Sequence, residues 1–311
     1  MRRRIPALAS LGVVAAVLVI LPFTLSVYHM ALAAQVGIFF IAVLGLNILT
    51  GYSGQISIGH GAFMAVGGYT TAIMSRDHHT NLVLTMVMAF AICFVLGLLL
   101  GLPALRLSGV YLALATFAFA VSVPLLPLQY SEFLGGSGGV QSSTTPDNTW
   151  IYAAAWTSSA ILFALAWLLL RGRTGRAFRA IRDSDLAAAA SGVSLPVYKT
   201  FAFGVSAAYA GVAGSLFVLA TNGFAQPSEF SVLLSLELLV GAAVAGLGSL
   251  WGTLAGAAFV GLLPQVSSSI PVIGSAHGRD VVFGAAVVLV MLLLPGGFAG
   301  LLARLRPSGG A

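Results

Sequence analysis

The chain has 311 residues, 59% hydrophobic and 7% charged, with a mean hydropathy of +1.03. Soluble domains carry about a quarter charged residues, so this composition excludes a soluble globular protein and places the chain in a membrane. The net charge of +6 does not mark a nucleic-acid binder, because no polar region interleaves basic with stacking aromatic residues. Positive cytoplasmic loops account for it.

In lipid only helices or a closed barrel satisfy their own backbone hydrogen bonds. The apolar runs here are about twenty residues long and continuous, which selects helices over the short alternating strands of a barrel. Ten such runs follow one another: 5 to 28, 31 to 50, 55 to 75, 81 to 105, 109 to 130, 149 to 170, 198 to 221, 229 to 248, 250 to 270 and 280 to 302. The expected fold is an all-α polytopic membrane protein with about ten transmembrane helices in a single domain over residues 1–311.

The run opens behind Arg2, Arg3 and Arg4 and is followed by Ala31-Leu32-Ala33, an imitation of a signal peptide. Its length from Ile5 to Val27 suits a retained spanning helix. With that end cytoplasmic and every run crossing, twelve basic residues fall inside and only Arg76 and Arg279 outside. This asymmetry expects both termini in the cytoplasm.

From Gly45 to Met74 the sequence GLNILTGYSGQISIGHGAFMAVGGYTTAIM breaks an apolar helix with small and polar residues. Irregular backbone within a membrane is tolerated where it is buried in protein or lines a wet cavity. Asn47, Ser53, Gln55, Ser57 and His60 offer donors and acceptors for a polar solute, a candidate substrate pathway. The alternative is a cytoplasmic turn followed by an ordinary glycine-rich helix, with His60 hydrogen-bonded inside the bundle.

Further along, Arg76-Asp77-His78-His79 reads as a solvated external turn rather than a metal site. Cys93 is the single cysteine and lies in an apolar run, so no disulfide forms within one chain. Gly97xxxGly101 and Gly248xxxGly252xxxGly256 suggest close helix approach, with generic packing or a tight turn at 246 to 252 as the plainer account. Ser131 to Thr149, rich in Gly, Ser, Thr and Pro, reads as a flexible surface connection.

Between Arg171 and Lys199, RGRTGRAFRAIRDSDLAAAASGVSLPVYK carries six of the fourteen basic residues. Ser184 is placed to cap a short helix, Asp185 to supply an acid to its first turn, and Gly192 to end it in the left-handed conformation before Pro196. Upstream, Phe178 and Ile181 stand among Arg173, Arg176, Arg179 and Arg182, a mixture suited to anionic headgroups or to a partner's groove. A loop that only sets orientation is the simpler alternative.

Glu237 lies in SVLLSLELLVGAAVAG with no base nearby in sequence. A charged residue at a helix centre costs about 2.5 to 3.5 kcal/mol on insertion scales, so this carboxyl is expected to face the interior, find donors or stay protonated. A place in the substrate pathway and a structural hydrogen bond both fit. A weak internal echo sets GYSGQISIGHGAF, from Gly51, beside GLGSLWGTLAGAAF, from Gly246, as internal repeats of transporters do. Enzyme signals are poor: the single lysine, Lys199, follows Val-Tyr rather than a phosphate-binding glycine loop, and no zinc spacing or nucleophile elbow is present.

The 45 to 74 stretch, GRTGRAFRAIRDSDLAAAASGVSLPVYKTFAFGVSAAYAGVAGSLF and VGAAVAGLGSLWGTLAGAAF together resemble the LivM-type permeases of branched-chain amino-acid ABC transporters, in that family's order and spacing. The resemblance implies a permease subunit in a bacterial or archaeal plasma membrane, importing branched-chain amino acids by alternating access. It implies a cytoplasmic coupling helix between the sixth and seventh spans, with Arg176, Arg179, Arg182, Asp185, Ala188, Ala189 and Gly192 against an ATPase. The implied partners are a second related permease, two cytoplasmic ABC ATPase subunits that hold ATP and magnesium, and an external solute-binding protein. No cofactor is expected on this chain. An ion-coupled secondary transporter, for which ten helices and Glu237 also suit, and an ABC permease for urea or amides are the alternatives.

Overall fold

The computed structural model describes residues 26–78, 80–107 and 109–268, with scattered positions between 284 and 300. Most of the expected first and last spans, both termini, His79 and Ser108 lie outside the described residues.

The chain is mostly helical, and its first described helix, α1, covers Val27–Leu46. Ser26 caps it by accepting from the His29 amide, and its almost wholly apolar sequence lets it be buried on nearly every side from Val36 onward. It widens into a π-helical turn over Asn47–Tyr52. Residues 53 to 59 are non-helical, and α2 begins only at His60 and runs to His78. The sequence expectation of a helix from residue 55 therefore fails by one turn, because this backbone finds other partners. The amide of Ile58 donates to Thr116 Oγ1 at 2.9 Å, and Thr50 Oγ1 donates to the Gln55 carbonyl at 3.1 Å. Every buried backbone group needs such a partner.

Helix α3, Leu82–Ala104, is capped by Asn81, and α4, Val110–Ser122, continues through a tighter turn at Val123–Leu125 to Leu126–Gln129. Helix α5 covers Asn148–Arg171. After it come α6, Arg173–Asp183, and α7, Asp185–Ala190. Helix α8, Leu195–Ala220, is started by Pro196, whose missing amide costs nothing in a first turn. Two shorter helices close the described chain, α9 over Val232–Ala245 and α10 over Gly252–Ser268.

Among the described residues five helical stretches are long and apolar enough to cross a membrane: 27–52, 82–104, 110–129, 148–171 and 195–220. The run at 229 to 248, expected to span, forms a shorter helix instead, while that at 250 to 270 is helical over 252–268, the last of its described residues. Fourteen residues of α9 reach roughly 21 Å at 1.5 Å per residue, short of a hydrocarbon core of about 30 Å. Gly246 and Gly248, at φ of 89° and 84°, end α9 and open the turn to α10.

Helix α8 is the centre, buried along the whole of its spanning window. It is approached through glycine on both sides. A methyl placed on Gly97 of α3 would meet Ala207 Cβ at 2.6 Å and the Phe203 carbonyl at 2.8 Å, and one on Gly67 of α2 would run into the Gly211 backbone. Removing side chains here brings backbones into direct contact and maximises dispersion between helices that lipid does not push together. The Gly97 and Gly101 pair thus packs as its spacing suggested, whereas Gly248 belongs to a turn. Outward faces of α3, α4 and α5 expose Val87, Val95, Leu99, Val110, Leu114, Ile161 and Leu165, an apolar surface of the kind lipid covers.

The connection from Ser131 to Thr149 departs from its reading as flexible. Its strand β1, Val140–Gln141, pairs antiparallel with β2, Phe224–Ala225. Ser142 Oγ donates to Ser75 Oγ at 2.8 Å and Ser143 Oγ to the Ser75 carbonyl at 2.5 Å. These hydroxyls tie the connection to the end of α2, and their sequence composition alone did not reveal the partner.

Candidate functional site

Two polar regions stand out, the broken segment between α1 and α2 and the basic hairpin of α6 and α7. In the first, Asn47 is fully buried, and its amide serves both directions: Nδ2 donates to the Ser249 carbonyl and Oδ1 accepts from the Gly248 amide, each at 2.8 Å. Asn47 therefore clamps the α9–α10 turn onto the π turn. The two echo segments meet here: a methyl on Gly51 would strike both the Asn47 side chain and the Gly248 amide nitrogen.

Ser53, Gln55 and Ser57 are also buried. Ser53 Oγ donates to the Leu49 carbonyl at 3.0 Å and accepts from Gln55 Nε2 at 2.6 Å, while Ser57 Oγ accepts from the Gly59 amide at 3.3 Å. These side chains hold the irregular backbone. His60 is fully buried at the start of α2, where its Nε2 lies 3.0 Å from Ser206 Oγ. Ser206 spends its one proton on the Gly45 carbonyl at 2.7 Å, so it accepts from His60, and the imidazole carries its proton on Nε2. Among the described residues His60 Nδ1 has no hydrogen-bond partner. The structure brings Asn47, Ser53, Gln55, Ser57 and His60 into one continuous region but engages most of their polar atoms internally. Glu237 is the sixth residue of α9 and half-buried.

Ser206 escaped sequence reasoning, hidden in the small-residue run GVSAAYAGVAG of α8. Its only signal was a hydroxyl within a run rich in Gly and Ala.

The basic hairpin contains one more helix than its caps announced. Ala177, Phe178 and Ile181 of α6 are buried, a helical stripe at positions i, i+1 and i+4 that packs inward. Phe178 and Ile181 are therefore covered by the chain's own residues, and the expectation that they face headgroups or a partner's groove is overturned. Hydrophobic burial within the subunit wins over exposure on a loop.

The short helix α7 forms as its residues dictate. Ser184 Oγ accepts from the Ala187 amide at 3.3 Å, and Gly192 takes a φ of 80°. Asp185 pairs with Lys199 of α8 at 2.6 Å, strapping α7 to the bundle. Leu186 is 85% exposed, whereas Ala188 is 2% exposed. Ala189 is exposed and Ala188 is not, so Ala188 supports the helix from within and leaves its outer contacts to Leu186 and Ala189.

Arg171, Arg173, Arg176, Arg179 and Arg182 are all exposed, and three of them make contacts within the chain. Arg171 lies over the Trp167 ring at 3.6 Å, Arg179 Nη1 donates to the Leu170 carbonyl at 3.4 Å, and Arg182 Nη1 donates to the Gly51 carbonyl at 2.6 Å. Arg182, expected to face an ATPase, is exposed and also reaches the broken segment with its guanidinium. At the other end of α2, Arg76 forms a bidentate pair with Asp77 at 2.5 and 3.0 Å. The described residues hold no group of three or more His, Cys, Asp or Glu able to bind a metal ion.

A profile of the family described as "Branched-chain amino acid transport system / permease component" matches residues 28–294. The chain belongs to that permease family. The match takes in every described helix from α1 to α10, the broken segment and the basic hairpin alike. Among relatives, the chain is similar to the high-affinity branched-chain amino acid transport system permease protein LivM of Salmonella typhimurium and that of Escherichia coli. Each is 30% identical, over 92% of this chain and 73% of the relative. It is also similar to the Escherichia coli permease protein LivH, at 24% identity over 83% of this chain and 89% of the relative. No solved structure matches the chain.

Proposed function

We propose that this chain is the transmembrane permease subunit of an ATP-binding-cassette importer that moves branched-chain amino acids into the cell. The observation that carries the reading is the 30% identity, over 92% of the chain, to permeases named for high-affinity branched-chain amino acid transport. The site agrees with it. A capped helix presenting an exposed leucine projects between two helices of membrane length, the form a docking element for a soluble motor requires. Solutes with apolar side chains need few polar contacts along their route, which suits a polar segment whose groups are mostly occupied.

In this proposal α7 and the outer face of α6, with Arg176, Asp185, Ala189 and Gly192, couple to an ATPase. ATP and magnesium reside in two ABC subunits, and this chain holds no cofactor. A second related permease completes the bundle, an external solute-binding protein delivers the solute, and the assembly lies in the plasma membrane. ATP drives transport because it binds the inward-open and outward-open arrangements with different affinity, and α7 carries that difference into the bundle.

The test is uptake of labelled leucine by proteoliposomes containing the complete complex. With ATP held constant and ion gradients collapsed, uptake should persist. Loss of uptake on collapsing the gradient, with no response to ATP, would instead make the chain a secondary carrier.

A further inference from the structure

Arg182 occupies a junction that the docking reading leaves unused. Its Nη1 donates to the Gly51 carbonyl at 2.6 Å, and a methyl on Gly248 would lie 2.7 Å from the same nitrogen. Its Cα lies 3.1 Å from where a methyl on Gly54 would stand, and Gly54 has a φ of 73°. Three segments thus converge on one side chain: the last turn of α6, the turn between α1 and α2, and the turn between α9 and α10. The last two are already joined to each other through the amide of Asn47.

We propose that Arg182 is the positioning residue that carries motion of the α6–α7 hairpin into the start of α2 and the start of α10. The proposal rests on the importer reading and names the link through which its motor acts. Both receiving turns are suited to move. A π turn such as Asn47–Tyr52 marks functional sites in helices, and glycines at positive φ, as at Gly54, Gly246 and Gly248, give a turn freedom to rearrange. A charge-assisted hydrogen bond of 2.6 Å is short and strong for its class. When α6 shifts, either that bond breaks or residues 51 and 248 follow. Following moves His60, seven residues beyond Ser53, and the packed face of α10 together. Lys199 and Asp185 tie the first residue of α7 to α8, so a push on α7 turns into a rotation about that strap rather than a detachment.

The experiment compares wild type, Arg182→Ala and Arg182→Lys in the assembled complex, scoring assembly, ATP hydrolysis with and without loaded binding protein, and leucine uptake per assembled complex. In Arg182→Ala, hydrolysis should continue but lose its response to loaded binding protein. Uptake should fall about tenfold or more, the factor expected when a charge-assisted hydrogen bond is lost from a conformational step. Arg182→Lys should recover part of the uptake, since an ammonium still donates to the Gly51 carbonyl but lacks the planar, pre-organised geometry of the guanidinium. Wild-type uptake per complex in Arg182→Ala overturns the proposal. So does a parallel loss of hydrolysis and uptake, and so does failure of both variants to assemble, which reduces the contact to a structural one. A wild-type complex without ATP-dependent uptake overturns the importer reading itself, and the transport role of Arg182 with it.

Discussion

Replacing Asn47 with alanine tests whether this residue is a clamp or a solute contact. The side chain is fully buried and makes two hydrogen bonds of 2.8 Å to the turn that carries Gly248 and Ser249. Truncation removes both hydrogen bonds from a carbonyl and an amide that are half-buried. Each bond is worth about 0.5–1.5 kcal/mol net, so the variant should lose about 1–3 kcal/mol. Asp is a sharper probe, because its carboxylate still accepts from Gly248 but turns a second oxygen toward the Ser249 carbonyl, and it should rescue little. Trp251 lies two residues past Ser249 and packs at a tilt against Phe163 of α5 with centroids 5.0 Å apart, so in a variant that keeps it as the single one of the four tryptophans fluorescence reports on the turn. The assay is thermal unfolding of the purified permease in detergent, followed by that signal, beside leucine uptake. A variant that unfolds at the wild-type temperature while uptake is weakened would refute the clamp and restore Asn47 to the solute pathway.

Leu186→Glu should leave the unfolding temperature unchanged and abolish co-purification of the ATPase subunits, because this side chain is 85% exposed. Ala188→Glu should instead lower the unfolding temperature, since it forces a carboxylate into a buried position, and the reverse pattern would invert the assigned face of α7. Gly67→Ala should destabilise by about 1–3 kcal/mol through overpacking against Gly211, less up to about 1 kcal/mol of helix propensity; an unfolding temperature above wild type would contradict the close α2–α8 approach. Ser142→Ala removes the hydrogen bond to Ser75 and should cost about 1 kcal/mol. Faster limited proteolysis between residues 131 and 149 is the expected sign, and unchanged cleavage would mean the connection is held elsewhere.

Helical spans were legible wherever lipid is the solvent of the outer face. There, apolar composition over about twenty residues is dictated by the bilayer, and α1, α3, α5 and α8 lie close to where their runs placed them. Capping was legible too, because it is local: Ser184 and Gly192 act on residues within one turn of themselves. Family membership was readable for a similar reason, since the motif order runs along the chain and needs no three-dimensional information.

What composition and spacing left open were partners far away in sequence. The shortening of α9, the inward burial of Phe178 and Ile181, and the pairing of β1 with β2 all depend on which segment arrives from elsewhere. The roles of Asn47, Arg182 and Ser206 depend on it even more. A polar atom takes its function from the group within about 3 Å, and here that group is 202 residues away for Asn47, 131 for Arg182 and 161 for Ser206. Sequence by itself determined the solvent of this protein, its helical class, its family and the short capped helix, because each follows from local composition or order. Only the tertiary structure decided that the polar residues of the broken segment hold turns together and that Arg182 reaches the Gly51 carbonyl, because those choices are made by long-range hydrogen bonds.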